Sequence, residues 1–207
     1  VNDSPIYFQD DFEKLENFLK VHVGNGHGEE ILYEIETGRI RPSKKLIDCV
    51  NEMFKGNQEF VLLDEQKVAY EAALNIALNS QKKSVIIIKG GPGTGKSVIS
   101  MNLFGALLAR KLNTVFVAPN SAFRNVMKHK LARDEKQVML NHLFKGSSGF
   151  YELENNVYDA IVVDEAHRLK NYLAYQYFGQ NQIEDIVKAS KTSIFFVDEN
   201  QIIRPED

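Results

Sequence analysis

Directly after the apolar run Val85-Ile86-Ile87-Ile88 comes Lys89-Gly90-Gly91-Pro92-Gly93-Thr94-Gly95-Lys96-Ser97. The spacing G-x-x-x-x-G-K-[ST], with a strand before it and a helical pattern after it, is that of a loop that cradles phosphates. Glycines let backbone N–H groups turn inward around an anion without Cβ clashes. The helix that begins near Gly95 points its positive end at the same place. Lys96 is of a length to reach β- and γ-phosphates, and the Ser97 hydroxyl suits Mg²⁺. The segment Gly90, Gly91, Pro92, Gly93, Thr94, Gly95, Lys96, Ser97 and Val98 is therefore expected to hold a nucleoside triphosphate. The alternative is an ordinary Gly-rich turn between strand and helix. Agreement at every motif position and on both flanks favours the phosphate loop.

Two more apolar runs end in acid. Ala160-Ile161-Val162-Val163 leads into Asp164-Glu165-Ala166-His167, and Ser193-Ile194-Phe195-Phe196-Val197 leads into Asp198-Glu199-Asn200-Gln201. A carboxylate at the end of a buried strand is the second half of a phosphate-loop site, because it holds Mg²⁺, usually through water. Asp164 fits that role. Glu165, directly after it, is expected to act as general base on the attacking water. The competing reading makes Asp164 and Glu165 a charged cap at the start of a helix.

These residues need a scaffold that gathers strand ends. From Phe60 onward helical and strand patterns alternate, which predicts an α/β fold with a mostly parallel central sheet. Helices are expected over Asp64–Asn79, with Val68, Ala72, Leu74 and Ile76 among its apolar positions, and over Ser97–Lys111, apolar nearly all round and so buried. Helical patterns also cover Leu169–Phe178 and Ile183–Ala189. Strands are expected at Val85–Ile88, Thr114–Ala118, Ala160–Val163 and Ser193–Val197, buried on both faces as continuous apolar runs. Ligands of such sheets bind at the carboxyl ends of the strands. Residues 1–60 read differently, as a small helical appendage to a nucleotide domain spanning 61–207. Phe12, Leu15, Phe18 and Leu19 follow helical spacing, as do Leu46, Ile47, Val50, Met53 and Phe54 after a Pro42-Ser43 start. Gly24-Asn25-Gly26-His27-Gly28 between them lacks a preceding strand and a following Gly-Lys-Ser, and reads as a turn.

Composition narrows the setting. The chain has 207 residues, of which 43% are hydrophobic and 26% charged, as expected of a globular protein with a real core. A net charge of −3 carries no global nucleic-acid signature, so such binding would need a local patch. The single Cys49 excludes an intramolecular disulfide and reads as a small buried apolar residue. No run is long enough to span a membrane, and no leader opens the chain, which fits a cytoplasmic protein. The chain starts without Met and stops just after a strand-like run, and so reads as part of a longer protein.

Taken together, Gly90–Ser97, Asp164–His167 and Asp198–Gln201 resemble motifs I, II and III of superfamily 1 helicases and related motor ATPases. More closely, Leu62-Leu63-Asp64-Glu65-Gln66, the loop Lys89–Ser97 and the run Phe196–Pro205 resemble the bacterial relatives of the Schlafen helicase-like domain. Gly38–Lys45 is similar to the region preceding that loop. The resemblance covers nearly the whole chain, with motifs I and II its specific parts. It implies a RecA-like P-loop NTPase using ATP and Mg²⁺, in which Gln66 reads the adenine and Gln201 senses the γ-phosphate. It also implies a second RecA-like domain in the parent chain, which would supply arginine fingers. Such a finger contributes roughly 10³–10⁵ in rate, so slow hydrolysis is expected of these residues alone.

The same resemblance places a nucleic-acid contact after the second strand. Asn120, Ser121, Phe123 and Arg124, followed by Lys128, Lys130, Arg133 and Lys136, suit phosphate contacts, with Phe123 stacking on a base of single-stranded DNA or RNA. The basic residues equally suit a solvated helical face balanced by Asp134 and Glu135. Tyr172, Tyr175, Tyr177 and Phe178 suit a buried aromatic helix face better than a stacking platform. No Asn-Lys-x-Asp sequence that would read guanine occurs. A non-motor ATPase that controls a nuclease or other partner domain would use the same site and stays open beside the motor.

Overall fold

The structure is a computed structural model that describes residues 11–23, 61–131, 137–170, 178–179 and 181–201. The turn at Gly24–Gly28, the helix expected around Leu46–Phe54, Cys49, Arg133, Lys136 and the three tyrosines of 172–177 lie outside them. So does the side chain of Lys130. The chain divides into two compact units, Val1–Arg39 and Ile40–Asp207. In the first, α1 (Phe12–Val23) carries two ion pairs one turn apart, Lys14 with Asp11 and Lys20 with Glu16. Its Leu15 and Phe18 are half-buried, while Phe12 and Leu19 are exposed.

In the second unit, α2 (Asp64–Asn79), β1 (Ser84–Lys89), α3 (Lys96–Ala109), β2 (Thr114–Val117), α4 (Ser121–Leu131), α5 (Gln137–Leu143), β3 (Phe144–Lys145), β4 (Tyr158–Val163), α6 (Gln182–Ala189) and β5 (Ser190–Val197) follow in order. The five strands form one sheet in the order β1-β5-β4-β2-β3, and every pairing is parallel. After β1 the chain crosses past two strand positions to β2 and β3, and only later returns to fill the gap with β4 and β5. That reversal of direction is where such sheets open a crevice at their carboxyl end.

Alternation along the strands divides the core between two faces. Phe116, Ala160, Val162, Ile194 and Phe196 meet Ala73 and Leu74 of α2 and Met101, Leu103, Phe104 and Leu107 of α3. Val115, Val117, Ile161, Val163 and Phe195 meet Phe150, Leu169 and Ile186. The α3 helix is buried nearly all round, as its composition predicts. Three expectations need correction. Strand β1 is an edge strand with one open face: Val85 and Ile87 are 50% and 58% exposed, while Ile86 and Ile88 pack inward. Helix α2 turns Val68, Ala72 and Ile76 to solvent and buries Leu74, as expected, beside Ala73. The expected helix over Leu169–Phe178 does not include Leu169, Lys170 or Phe178.

Local chemistry sets the element ends. The Asn181 side chain accepts the backbone N–H groups of Ile183 and Glu184 and so caps α6. At the other end of that helix the Lys83 ammonium donates to the carbonyls of Val187, Lys188 and Ser190 at 2.7–3.0 Å, closing carbonyls that the helix leaves open. This ties β1 to β5 at the amino end of the sheet, opposite the glycine-rich loop.

Candidate nucleotide site

The loop leaves β1 tied to β5, with the Gly90 N–H donating to the Val197 carbonyl at 3.1 Å. It then folds tightly. A Cβ on Gly90 would stand 2.6 Å from the Thr94 hydroxyl, closer than side-chain carbons approach. Gly95 precedes the first residue of α3 with φ +83°, in the left-handed region, and any side chain there would collide with Gln66. The Thr94 hydroxyl donates to the Gly91 carbonyl at 2.8 Å and closes the turn. The Gly95 carbonyl accepts the Val98 and Ile99 N–H groups at 2.9 and 3.0 Å and so starts α3 directly from the loop; a helix start of this kind favours a nearby anion.

Gln66 holds the loop from outside. Its carboxamide oxygen accepts the Leu63 N–H at 2.9 Å, and its nitrogen donates to the Thr94 carbonyl at 2.9 Å. One donor and one acceptor site of the group are engaged in these bonds, and its second N–H and second lone pair are the ones left for an adenine edge.

Lys96 is 8% exposed and folds back over the loop. Its ammonium donates to the carbonyls of Gly90 and Gly91 at 2.8 and 2.7 Å and to Asp198 at 3.1 Å. Asp198 is wholly buried at the end of β5. It also accepts the Asn200 N–H and the Gln201 side-chain amide, at 3.1 and 3.0 Å. Burial alone would push its carboxyl up, but the hydrogen bonds from Lys96, Asn200 and Gln201 and the Lys96 charge outweigh that and hold it below the usual carboxylate range. Sequence reasoning missed this partnership. The signal was an acid directly after an apolar strand, the same pattern that marks Asp164.

Asp164 ends β4, the next strand, and is 2% exposed. Its side chain is hydrogen-bonded to Ser97 and accepts the Glu165 N–H at 3.1 Å. Here burial dominates and raises the carboxyl above its ordinary range, aided by the Glu165 charge and opposed by the Ser97 bond and Lys96. A buried carboxylate bonded to a serine hydroxyl, short of positive charge, is a donor set for a hard divalent cation, with phosphate oxygens completing the shell. Among the described residues no cluster of three or more His, Cys, Asp or Glu could hold a metal. The Ser97 hydroxyl and the Asp164 carboxylate are oxygen donors of the kind such a shell would use.

Glu165 sits in the left-handed region, with φ +53° and ψ +42°, an arrangement rare outside glycine and concentrated at functional turns. One of its carboxylate oxygens lies 3.1 Å from His167 Nε2 and 3.4 Å from Arg168 Nε. The expected helix cap at Asp164-Glu165 is only a single 3-10 turn, Ala166–Arg168.

The residues expected after the second strand are placed differently from the phosphate group. The Asn120 side chain accepts the Ala122 N–H at 2.9 Å at the start of α4, where Ser121 is the first helical residue. The Phe123 ring stacks on Phe116 at 5.7 Å, so one face belongs to the core and only the other is left for a base. The Arg124 guanidinium folds back onto the carbonyls of Ala118 and Pro119 and lies against Gly146 after β3. Lys128 donates to Asn141 at 2.7 Å. In this arrangement Phe123 and Arg124 brace the ends of β2 and β3, while Asn120 serves the start of α4.

Residues 83–207, more than half of the chain and all of the sheet, match the family described as Schlafen group 3, DNA/RNA helicase domain. No curated protein matches the chain. The matched segment contains the phosphate loop, Asp164–His167 and Asp198–Gln201, whereas Gln66 lies before it.

Proposed function

The chain belongs to the Schlafen group 3 DNA/RNA helicase domain family, and on that premise we propose that it binds ATP with Mg²⁺ and hydrolyses it as the first RecA-like half of a superfamily 1-like helicase or translocase. The observation that carries this reading is the convergence of three strand ends on one buried polar cluster, with Lys96 against Asp198 and Ser97 against Asp164.

In this reading Lys96 exchanges the carbonyls of Gly90 and Gly91 for β- and γ-phosphate oxygens, which a charge-assisted bond favours. The loop N–H groups and the start of α3 receive the remaining phosphate charge. Ser97 and Asp164 hold Mg²⁺, which when bound neutralises charge on the phosphate oxygens. Glu165 takes the proton of the water that attacks the γ-phosphorus, and the β–γ bridge oxygen leaves with ADP. Gln201, bonded to Asp198 at the end of β5, is the residue to sense whether the γ-phosphate is present. Gln66 belongs to the nucleotide site through its grip on the loop. Single-stranded nucleic acid and a second RecA-like domain of the parent chain are the partners of the motor.

Steady-state phosphate release by residues 1–207 tests this reading. Slow, Mg²⁺-dependent turnover is expected, lost in Glu165→Gln while ATP binding persists. Turnover unaltered by Glu165→Gln would remove the general base from the scheme. Brisk turnover would contradict the proposal that a second domain completes the site.

A further inference from the structure

His167 has a geometry that the scheme above leaves unused. Its side chain is 2% exposed and stands between the ends of β4 and β5. Nδ1 accepts the backbone N–H of Asp198 at 3.3 Å. A ring nitrogen that accepts carries no proton, so the proton of the neutral imidazole sits on Nε2. That Nε2 is buried, has no hydrogen-bond partner among the described residues, and lies 3.1 Å from a Glu165 carboxylate oxygen, out of line for a bond. A buried donor left unpaired is costly. The nearest acceptor is on a side chain that a torsional change would bring into line.

We propose that His167 is the positioning residue of the general base, fixing Glu165 against the backbone of Asp198; this rests on the hydrolytic reading above. Asp198 bonds both Lys96 and Gln201 through its side chain, so the ring joins the base to the segment that grips and senses the phosphates. When Gln201 and Asp198 shift as the γ-phosphate leaves, the imidazole carries that shift to Glu165. Arg168 also approaches Glu165, at 3.4 Å, but it is half exposed and its attraction is screened by water. The buried ring is the specific contact.

The test compares wild-type residues 1–207 with His167→Phe, which keeps an aromatic ring and removes both nitrogens, and His167→Gln, which keeps a donor. Phosphate release gives kcat, and titration with a fluorescent ATP analogue in Mg²⁺ gives Kd. Misplacing a catalytic group costs on the order of 10²-fold in rate. We expect kcat of His167→Phe to fall by roughly tenfold to a hundredfold, with Kd within about threefold of wild type, and His167→Gln to recover at least part of the loss. A residue that merely packs would leave kcat unchanged in His167→Phe, or would move Kd and melting temperature along with it; either result overturns the proposal. Should His167→Phe not fold, His167→Leu, which also lacks both nitrogens, takes its place beside His167→Gln: a lower kcat in His167→Leu than in His167→Gln supports the role, and equal kcat in the two overturns it. A wild type that binds the analogue and releases no phosphate overturns the hydrolytic reading itself, and the role of His167 with it.

Discussion

Asp164 and Asp198 end neighbouring strands and are both shut away from solvent, yet their carboxyls are driven in opposite directions. Asp198 has Lys96 and two further donors, and its acidity increases. Asp164 has a serine hydroxyl and one N–H against a dominant burial penalty, and its acidity decreases. The consequences for stability are opposite in sign. Asp198 contributes stability above its unfolded pKa, lost as pH falls through the lower folded value. Asp164 costs stability once pH rises above its folded value, and the cost is relieved as pH falls back through it. Asp164→Asn keeps the contacts and removes the charge. We therefore predict that it raises the melting temperature of the ligand-free protein by about 2–4 °C, the shift that ~1 kcal/mol produces in a chain of this size. The same variant should show no further rise on adding Mg²⁺ and ATP, whereas wild type does, as thermal melts with and without ligand will record. Residue types and spacing singled out Lys96, Ser97, Asp164 and Glu165 as candidates, and the sheet brings them together at the ends of β1 and β4. The Asp198 partnership and the bonding of His167 were not legible from sequence, because each depends on β5 lying beside β1 and β4, which no local pattern encodes.

Helix α3 links the site to the core. It begins with Lys96 and Ser97, and one turn beyond Ser100 it buries Phe104 completely between Phe116 of β2 and Phe144 of β3, with ring centroids at 5.6 and 5.4 Å. Removing that ring leaves a cavity among groups that cannot all close in. Phe104→Ala should cost about 3–5 kcal/mol, read as a lower urea midpoint at unchanged slope. A loss below about 1 kcal/mol, the scale of a tolerated hydrophobic swap, would show that α3 is not anchored there. Long apolar runs bounded by polar residues made β1, β2, β4 and β5 readable to within three residues at every end. Strand β3 was not readable, since Phe144-Lys145 is too short for any periodicity and is made by pairing with Phe116 and Val117. The buried face of α2 was misread because hydrophobicity ranks Val68 and Ile76 above Ala73. Close packing on α3 instead selects the small residue.

Across the whole sheet, the two strands inserted between β1 and β2 turn a phosphate loop into a complete polar cluster. Sequence conveyed the three motifs, and the strand order explains why they meet. The same order puts the ends of β2 and β3 side by side, away from β1. If the domain binds nucleic acid as proposed, this is the surface expected to meet it, and with a net charge of −3 such binding must come from a local patch. Binding of a single-stranded oligonucleotide by residues 1–207 should weaken roughly tenfold to a hundredfold between 50 and 200 mM salt, the response of about three to five phosphate contacts. Affinity that ignores salt, or no binding at 50 mM, would argue against that surface. The central claim concerns the phosphate loop, and a calorimetric titration with ATP, with and without Mg²⁺, tests it most directly. Wild type should bind ATP in a Mg²⁺-dependent manner, and Lys96→Ala should weaken that binding by roughly tenfold to a hundredfold, the loss of a charge-assisted bond. ATP binding equal in wild type and Lys96→Ala, or no binding by wild type, would contradict it.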